Sequence, residues 1–133
     1  MARVLILDSE AVSALAEQRR GMAERLTAAQ QADHRVLIPA VVLAEVATGA
    51  PSDAAIWHVL GKIPTLDLPQ GVAMRACALR ARTDRVRRKK RDLTVDALMA
   101  ATAVELAPSA VITAGKSGLE LLVDGFDAKV SAV

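Results

Sequence analysis

Residues 4–9, Val-Leu-Ile-Leu-Asp-Ser, combine a short unbroken apolar run with an acid at its end. Four apolar residues that stop at a polar one are typical of a strand buried on both faces of a parallel sheet. Ser9 is a residue type that favours a helix start, so we expect it to cap a helix running through Ala16. The stretch therefore predicts strand, turn and helix, with Asp8 in the turn.

The same alternation continues along the chain. Further strands are predicted at 36–38, 63–68, 110–113 and 128–133. Between them, helices are predicted from 21 to about 32, at 40–48, from 52, at 72–87, at 94–106 and at 117–122. Strands that alternate with helices through short connections predict an α/β fold. We therefore expect one domain, residues 1–133, with a central, mostly parallel sheet of four to five short strands and helices on both faces.

The composition of the chain excludes or disfavours several classes of protein and of binding site. A chain of 133 residues and 14.0 kDa can bury about two-thirds of its unfolded surface, which suffices for a core without cross-links. Cys77 is the only cysteine, which excludes an intramolecular disulfide and a cysteine-based zinc site. Only 2% of residues are aromatic, which disfavours binding of single strands by base stacking. No apolar run approaches a membrane span, so we expect a cytoplasmic protein without membrane contact.

Three acids adjoin segments predicted to be buried. Asp8 follows the first strand, Glu45 is the one polar residue between Ala40 and Ala47, and Asp96 opens an apolar helix. Each has an ordinary explanation alone: a turn residue, a helix-edge or arginine-paired glutamate, and a first-turn acid favoured by the helix dipole. Together they predict carboxylates that converge at the carboxyl edge of the sheet. Such a cluster suits Mg²⁺ or Mn²⁺, which prefer oxygen ligands.

A dense basic block follows in an almost neutral chain. The net charge is +2, yet nine of the seventeen basic residues lie between Arg75 and Arg91, with Asp84 as the only acid among them. This pattern indicates contact with a polyanion, although a solvated helix face is the alternative. The residues we expect to hold phosphates beside the acidic pocket are Arg85, Arg87, Arg88, Lys89, Lys90 and Arg91.

Four segments together resemble a known family. Residues 4–9, 38–46, 95–103 and 110–113 occur in an order and spacing similar to those of PIN-domain ribonucleases, above all the VapC toxins of bacterial toxin–antitoxin pairs. The resemblance covers essentially the whole chain. It implies that Asp8, Glu45 and Asp96 hold Mg²⁺ or Mn²⁺ and cleave RNA. It also implies a homodimer inhibited by a small antitoxin, for which the helices around Val12 and Leu15 are a candidate groove.

One stretch departs from the family pattern. Many relatives carry an Asp just after the threonine of the last core strand, whereas residues 113–118 here are Thr-Ala-Gly-Lys-Ser-Gly. Asp92, one helical turn before Asp96, is a candidate replacement ligand through a metal-bound water; the alternative is that it pairs with neighbouring lysines or arginines in solvent. Two functions stay open: an Mg²⁺- or Mn²⁺-dependent endoribonuclease toxin, or a catalytically impaired PIN domain that binds an antitoxin or RNA. The sequence does not identify the RNA, the antitoxin or the number of metal ions.

Overall fold

A five-stranded parallel sheet forms the centre of the protein in a computed structural model that describes residues 3–46, 53–83, 93–114 and 116–133. The sheet order is β3-β2-β1-β4-β5, and every neighbouring pair is parallel. The strands are β1 (Val4–Leu7), β2 (Arg35–Pro39), β3 (Thr65–Leu66), β4 (Ser109–Thr113) and β5 (Ala128–Ala132). The predicted α/β class is confirmed.

Helices connect the strands and cover the sheet. Within the described ranges they are α1 (Ser9–Ala16), α2 (Met22–Gln31), α3 (Ala40–Val46), α4 (Ala54–Leu60), α5 (Gln70–Thr83), α6 (Thr94–Glu105) and α7 (Lys116–Val123). Right-handed crossovers place α1 to α4 on one face and α5 to α7 on the other. The packing agrees, because α1 contacts α2, α3 and α4, whereas α5, α6 and α7 contact one another. No helix in the described residues is long and apolar enough to cross a membrane.

The core is built on β1, β4 and α6. Every residue of β4 is buried, and Ile6 and Leu7 of β1 are fully buried. Helix α6 is buried almost all round, which is why its sequence shows no polar face. Its many alanines allow the helix to approach the sheet and its neighbours closely. Asp96 lies in the first turn of this helix, at the sheet edge.

Two local predictions, the cap of α1 and the length of the strand at 63–68, were wrong. Ser9 does not cap α1, because the side chain of Asp8 occupies that role. Pro39 is the last residue of β2, where it pairs with Leu66 and needs no amide hydrogen. The strand predicted at 63–68 is only two residues long, between prolines that restrict pairing.

The connections create a crevice at the carboxyl edge between β1 and β4. The chain leaves β1 toward β2 and β3 on one side, then crosses to β4 on the other side of β1. Side chains that follow neighbouring strands at such a switch point face a shared opening, which is where ligands bind in open α/β sheets. Asp8 directly follows β1, and Thr113 is the last residue of β4.

Candidate active site

Asp8 is held in the crevice by contacts from two elements. Its side chain is 8% exposed, and its carboxylate Oδ1 accepts a hydrogen bond of 2.9 Å from the backbone N–H of Ala11. The hydroxyl of Thr113 also hydrogen-bonds to the carboxylate. Burial raises the pKa of Asp8 above its usual value, and the charge of Glu10 raises it further, whereas the hydrogen bonds oppose the shift. Asp8 is therefore a fixed carboxylate that is costly to ionise.

Glu45 lies in the last turn of α3 and takes part in the same electrostatic environment. The residue is exposed overall, but partial shielding of its carboxyl raises its pKa. The charges of Asp8, Asp96 and Glu10 raise the pKa of Glu45 further. These influences are burial and other acids, and none is a basic side chain. The carboxylates therefore form a negative cluster at this point.

Asp96 lies in the first turn of α6 and is half-buried. The amino terminus of a helix favours a carboxylate, and α6 is directed so that this end meets the carboxyl edge of the sheet. The charges of Asp8 and Asp96 both act on Glu45, so the fold brings Glu45 within electrostatic range of each of them. Their roles as metal ligands and catalytic groups stay a prediction.

The cluster can be tested for its fit to a divalent cation. Its donors are carboxylates without cysteine or histidine, which suits Mg²⁺ or Mn²⁺ more than zinc. Across the described ranges, however, no group of three or more His, Cys, Asp or Glu side chains is placed so that it could hold a metal ion. Mg²⁺ usually keeps several waters and needs only one or two protein carboxylates. The residues therefore fit a partly hydrated cation at an open site and not a closed protein cage.

Sequence reasoning missed two residues of this site. Thr113 was expected only as a strand residue, and Glu10 was not expected to contribute. Glu10 is exposed in the first turn of α1, where its charge acts on both Asp8 and Glu45. The signal for Glu10 was its position two residues after Asp8. The signal for Thr113 is visible only once β1 and β4 are known to be neighbours.

The described part of the basic block serves the fold. On α5, the guanidinium of Arg75 bonds to Glu105 at 2.9 Å, and that of Arg82 donates to the carbonyl of Leu122 at 2.9 Å. Both guanidinium carbons lie over the ring of Phe126, 5.8 and 5.2 Å from its centroid. These arginines tie α5 to the adjoining elements. The other expected site residues lie outside the described residues: Arg85, Arg87, Arg88, Lys89, Lys90, Arg91 and Asp92.

Comparison with known protein families shows to which family the chain belongs. The model of the PIN domain matches residues 5–120. The chain belongs to the PIN-domain family. The predicted resemblance is thereby confirmed, and it places the chain in a family of nucleases. No curated protein matches the chain significantly.

Solved PIN structures share the fold over nearly the whole chain. A chain of the VapBC2 complex from Rickettsia felis, bound to a DNA fragment from its promoter, has a TM-score of 0.77 at 14% identity, covering 98% of each chain. DNA-bound VapBC from Salmonella typhimurium has a TM-score of 0.70 at 19% identity, again covering 98% of each chain. FitAcB from Neisseria gonorrhoeae has a TM-score of 0.60 at 19% identity and 96% coverage of both chains. At these identities the likeness concerns the fold alone.

Proposed function

We propose that this PIN domain is an Mg²⁺- or Mn²⁺-dependent endoribonuclease that acts in the cytoplasm as the toxin of a toxin–antitoxin pair. The observation that supports it most is the raised pKa of Glu45, which the charges of Asp8 and Asp96 help to cause. The three acids come from separate segments, and the charges of two of them act on Glu45. A divalent cation would relieve their repulsion, and phosphodiester cleavage is chemistry that such a cation assists.

Each side chain has a defined task in this proposal. Asp8, Glu45 and Asp96 would hold the cation, directly or through its bound waters, and the cation when bound supplies positive charge to stabilise the transition state at the phosphate. Thr113 and the N–H of Ala11 keep the Asp8 carboxylate oriented, so that it need not reorganise during the reaction. A carboxylate oxygen of Glu45 could also accept a proton from the attacking water, since a positioned carboxylate can act as a general base.

The substrate contact is assigned to the basic run. We propose that RNA phosphates bind to the run of residues 85–91, beside the acidic pocket. Contacts of this kind hold the substrate in register and carry no sequence information. Neutralising Arg87, Arg88 and Lys89 together should weaken RNA binding and flatten its salt dependence. If the salt dependence of RNA binding does not change, the run is a solvated surface that does not contact RNA.

The proposed partner is an antitoxin, as the VapBC and FitAB complexes suggest. The groove expected around Val12 and Leu15 needs correction at Val12, which is fully buried in the core, whereas Leu15 lines a cavity of about 330 Å³. A second groove of about 330 Å³ lies between α1 and α4, where Ala16, Ala55 and Ile56 alternate with the polar residues Ser13, Glu17 and Asp53. Helix α4 has no buried residue, and its Trp57 is 55% exposed. We propose that an amphipathic antitoxin segment covers this surface with its apolar side.

A symmetric homodimer completes the proposed assembly. Met74 on α5 is 64% exposed and Leu68 just before α5 is 40% exposed, so this end of the helix offers apolar surface to a second copy. Sedimentation at micromolar concentration should show a dimer. A monomer over that range would contradict this part of the proposal.

The nuclease activity has a direct test. The purified chain should cleave a fluorescent RNA in Mg²⁺ or Mn²⁺ and not in EDTA, and Asp8→Asn, Glu45→Gln and Asp96→Asn should each abolish cleavage. The matched control is Asp33→Asn, since Asp33 is an exposed acid at the end of α2. Loss of cleavage in the control would contradict the site assignment. Sequencing of RNA ends after induction in cells would then identify the target.

A second function is favoured by one observation, the absence of any acid in residues 113–118. With one ligand fewer, the domain would bind an antitoxin or RNA without cutting. A parent chain that binds RNA but leaves it intact in Mg²⁺ and Mn²⁺ would support this reading.

Two variants separate the readings at residues outside the described part of the chain. If Asp92 replaces the missing acid, Asp92→Asn should lower divalent-dependent cleavage. Activity equal to that of the parent would make Asp92 a surface residue. If Gly115→Asp raises activity or metal affinity, the departure from the family pattern is a functional loss.

A further inference from the structure

A second pocket lies at the opposite end of the sheet from the carboxylates. Its volume is about 290 Å³, and it is formed by the end of α2, the start of β2 and the segment that leads into β3. Strand β2 is five residues long, which separates the two edges by about 16 Å. The pocket is therefore distinct from the proposed nuclease site.

The polar part of the pocket carries only neutral or basic groups. Gln30, His34, Arg35 and Lys62 contribute to its lining, and none of the lining residues is acidic. Across the described ranges, neither Arg35 nor Lys62 takes part in an ion pair. Elsewhere on the surface, Arg3, Arg19 and Arg75 each have a carboxylate partner. Positive charge without a counter-charge around a concave surface favours an anionic ligand.

The imidazole of His34 is oriented by the backbone. The N–H of Arg3 donates to Nδ1 of His34 at 2.8 Å. Because Nδ1 accepts this bond, the neutral ring carries its hydrogen on Nε2 and can donate from there. The pocket thus has one donor on a ring that is held by the residue before β1, and two cations on flexible side chains.

The remainder of the lining is apolar. Leu26, Val36 and Leu37 contribute from α2 and β2, and Ile63 and Pro64 contribute from the segment before β3. Pockets that combine an apolar lining with a few convergent polar groups are typical of small-molecule sites, and this volume is at the small end of their range. We propose that the pocket binds a small organic anion: a phosphate monoester on a compact apolar body, with the phosphate on Arg35, Lys62 and His34.

The probe for this site is phenyl phosphate, with inorganic phosphate and phenol as partial ligands. Titration followed by NMR should give saturable shifts of the His34 ring and of the backbone amides of residues 34–36 and 62–63. Phenyl phosphate should bind more tightly than either partial ligand. Arg35→Met and Lys62→Met should each weaken it roughly tenfold, the usual effect of losing one charged hydrogen bond. The control is Lys129→Met, because Lys129 is an exposed lysine on β5 at the far edge of the sheet.

Four results would overturn the inference: no saturation at millimolar phenyl phosphate, an equal loss of affinity in the Lys129 control, inorganic phosphate binding as tightly as phenyl phosphate, or displacement of the probe by an RNA oligonucleotide in EDTA. The last result would assign the pocket to the nucleic acid backbone. The outcome is independent of the nuclease proposal, because a chain that cleaves no RNA but binds phenyl phosphate with these variant effects supports the pocket alone.

Discussion

Replacing Asp8 with asparagine should stabilise the metal-free protein at neutral pH while abolishing nuclease activity. Asp8 is 8% exposed, and its burial is the largest influence raising its pKa, so its ionised form is costly in the folded state. Asparagine keeps an oxygen that can accept the N–H of Ala11, and Asp and Asn are equally good helix caps. Asp8→Asn therefore removes the charge and preserves the start of α1.

The expected gain has a definite dependence on pH. The folded pKa of Asp8 lies above the unfolded value of 3.8, so the parent loses stability as pH rises from the unfolded pKa through the folded pKa. Below this window Asp8 is protonated in both states and Asp8→Asn should match the parent. Above it we expect a gain of roughly 1 kcal/mol in the free energy of unfolding, which is usual when a strained site residue is relieved. For a domain of this size that gain raises Tm by about 4 °C.

The assay is thermal unfolding in EDTA at about pH 3 and about pH 7.5, on either side of the window. The control Asp33→Asn should match the parent at both pH values, since Asp33 is exposed and its left-handed backbone conformation suits asparagine. Added Mg²⁺ should then stabilise the parent but not Asp8→Asn, because a ligand that binds only the folded state shifts the equilibrium toward it. Two outcomes would refute the reasoning: a loss of stability in Asp8→Asn at neutral pH, or an equal gain at both pH values.

Three further results are expected. Thr113→Val should raise the pKa of Asp8 further in a carboxyl NMR titration, because it removes a hydrogen bond to the ionised form, whereas Thr113→Ser should leave the pKa near that of the parent; no change in the valine variant would contradict the contact. Asp96→Asn should weaken Mg²⁺ binding measured by calorimetry, and affinity equal to that of Asp33→Asn would remove Asp96 from the site. Trp57→Ala should weaken antitoxin binding by about tenfold or more without changing RNA cleavage, since exposed tryptophans are frequent hot spots in interfaces; unchanged affinity would place the antitoxin elsewhere.

The order of the elements was predictable because each core strand has a recognisable local sequence pattern. The run before Asp8 and the run that ends at Thr113 are apolar, short and bounded by polar residues, and both form strands. The positions of Asp8 and Asp96 at element boundaries followed from the same local pattern. The bounds of these two core strands were therefore predictable to within a few residues, whereas the cap of α1 and the length of β3 were not.

The contacts between distant segments were not predictable in this way. Thr113 hydrogen-bonds to Asp8 only because β4 pairs with β1, an arrangement that no local pattern encodes. The exposure of Val12 was misjudged for the same reason, since its position on α1 is compatible with either a groove or the core until the packing of α1 against the sheet is known.

The two edge strands of the sheet differ in how readily they could pair with a strand of another molecule. On one side β3 is only two residues long, between Pro64 and Pro69, so a passing strand finds few backbone groups with which to pair. On the other side β5 offers five residues, protected mainly by the charge of Lys129. Growth of the sheet into an aggregate should therefore start from β5, and a proline or a second lysine there is the change that would improve solubility when the protein is produced without a partner.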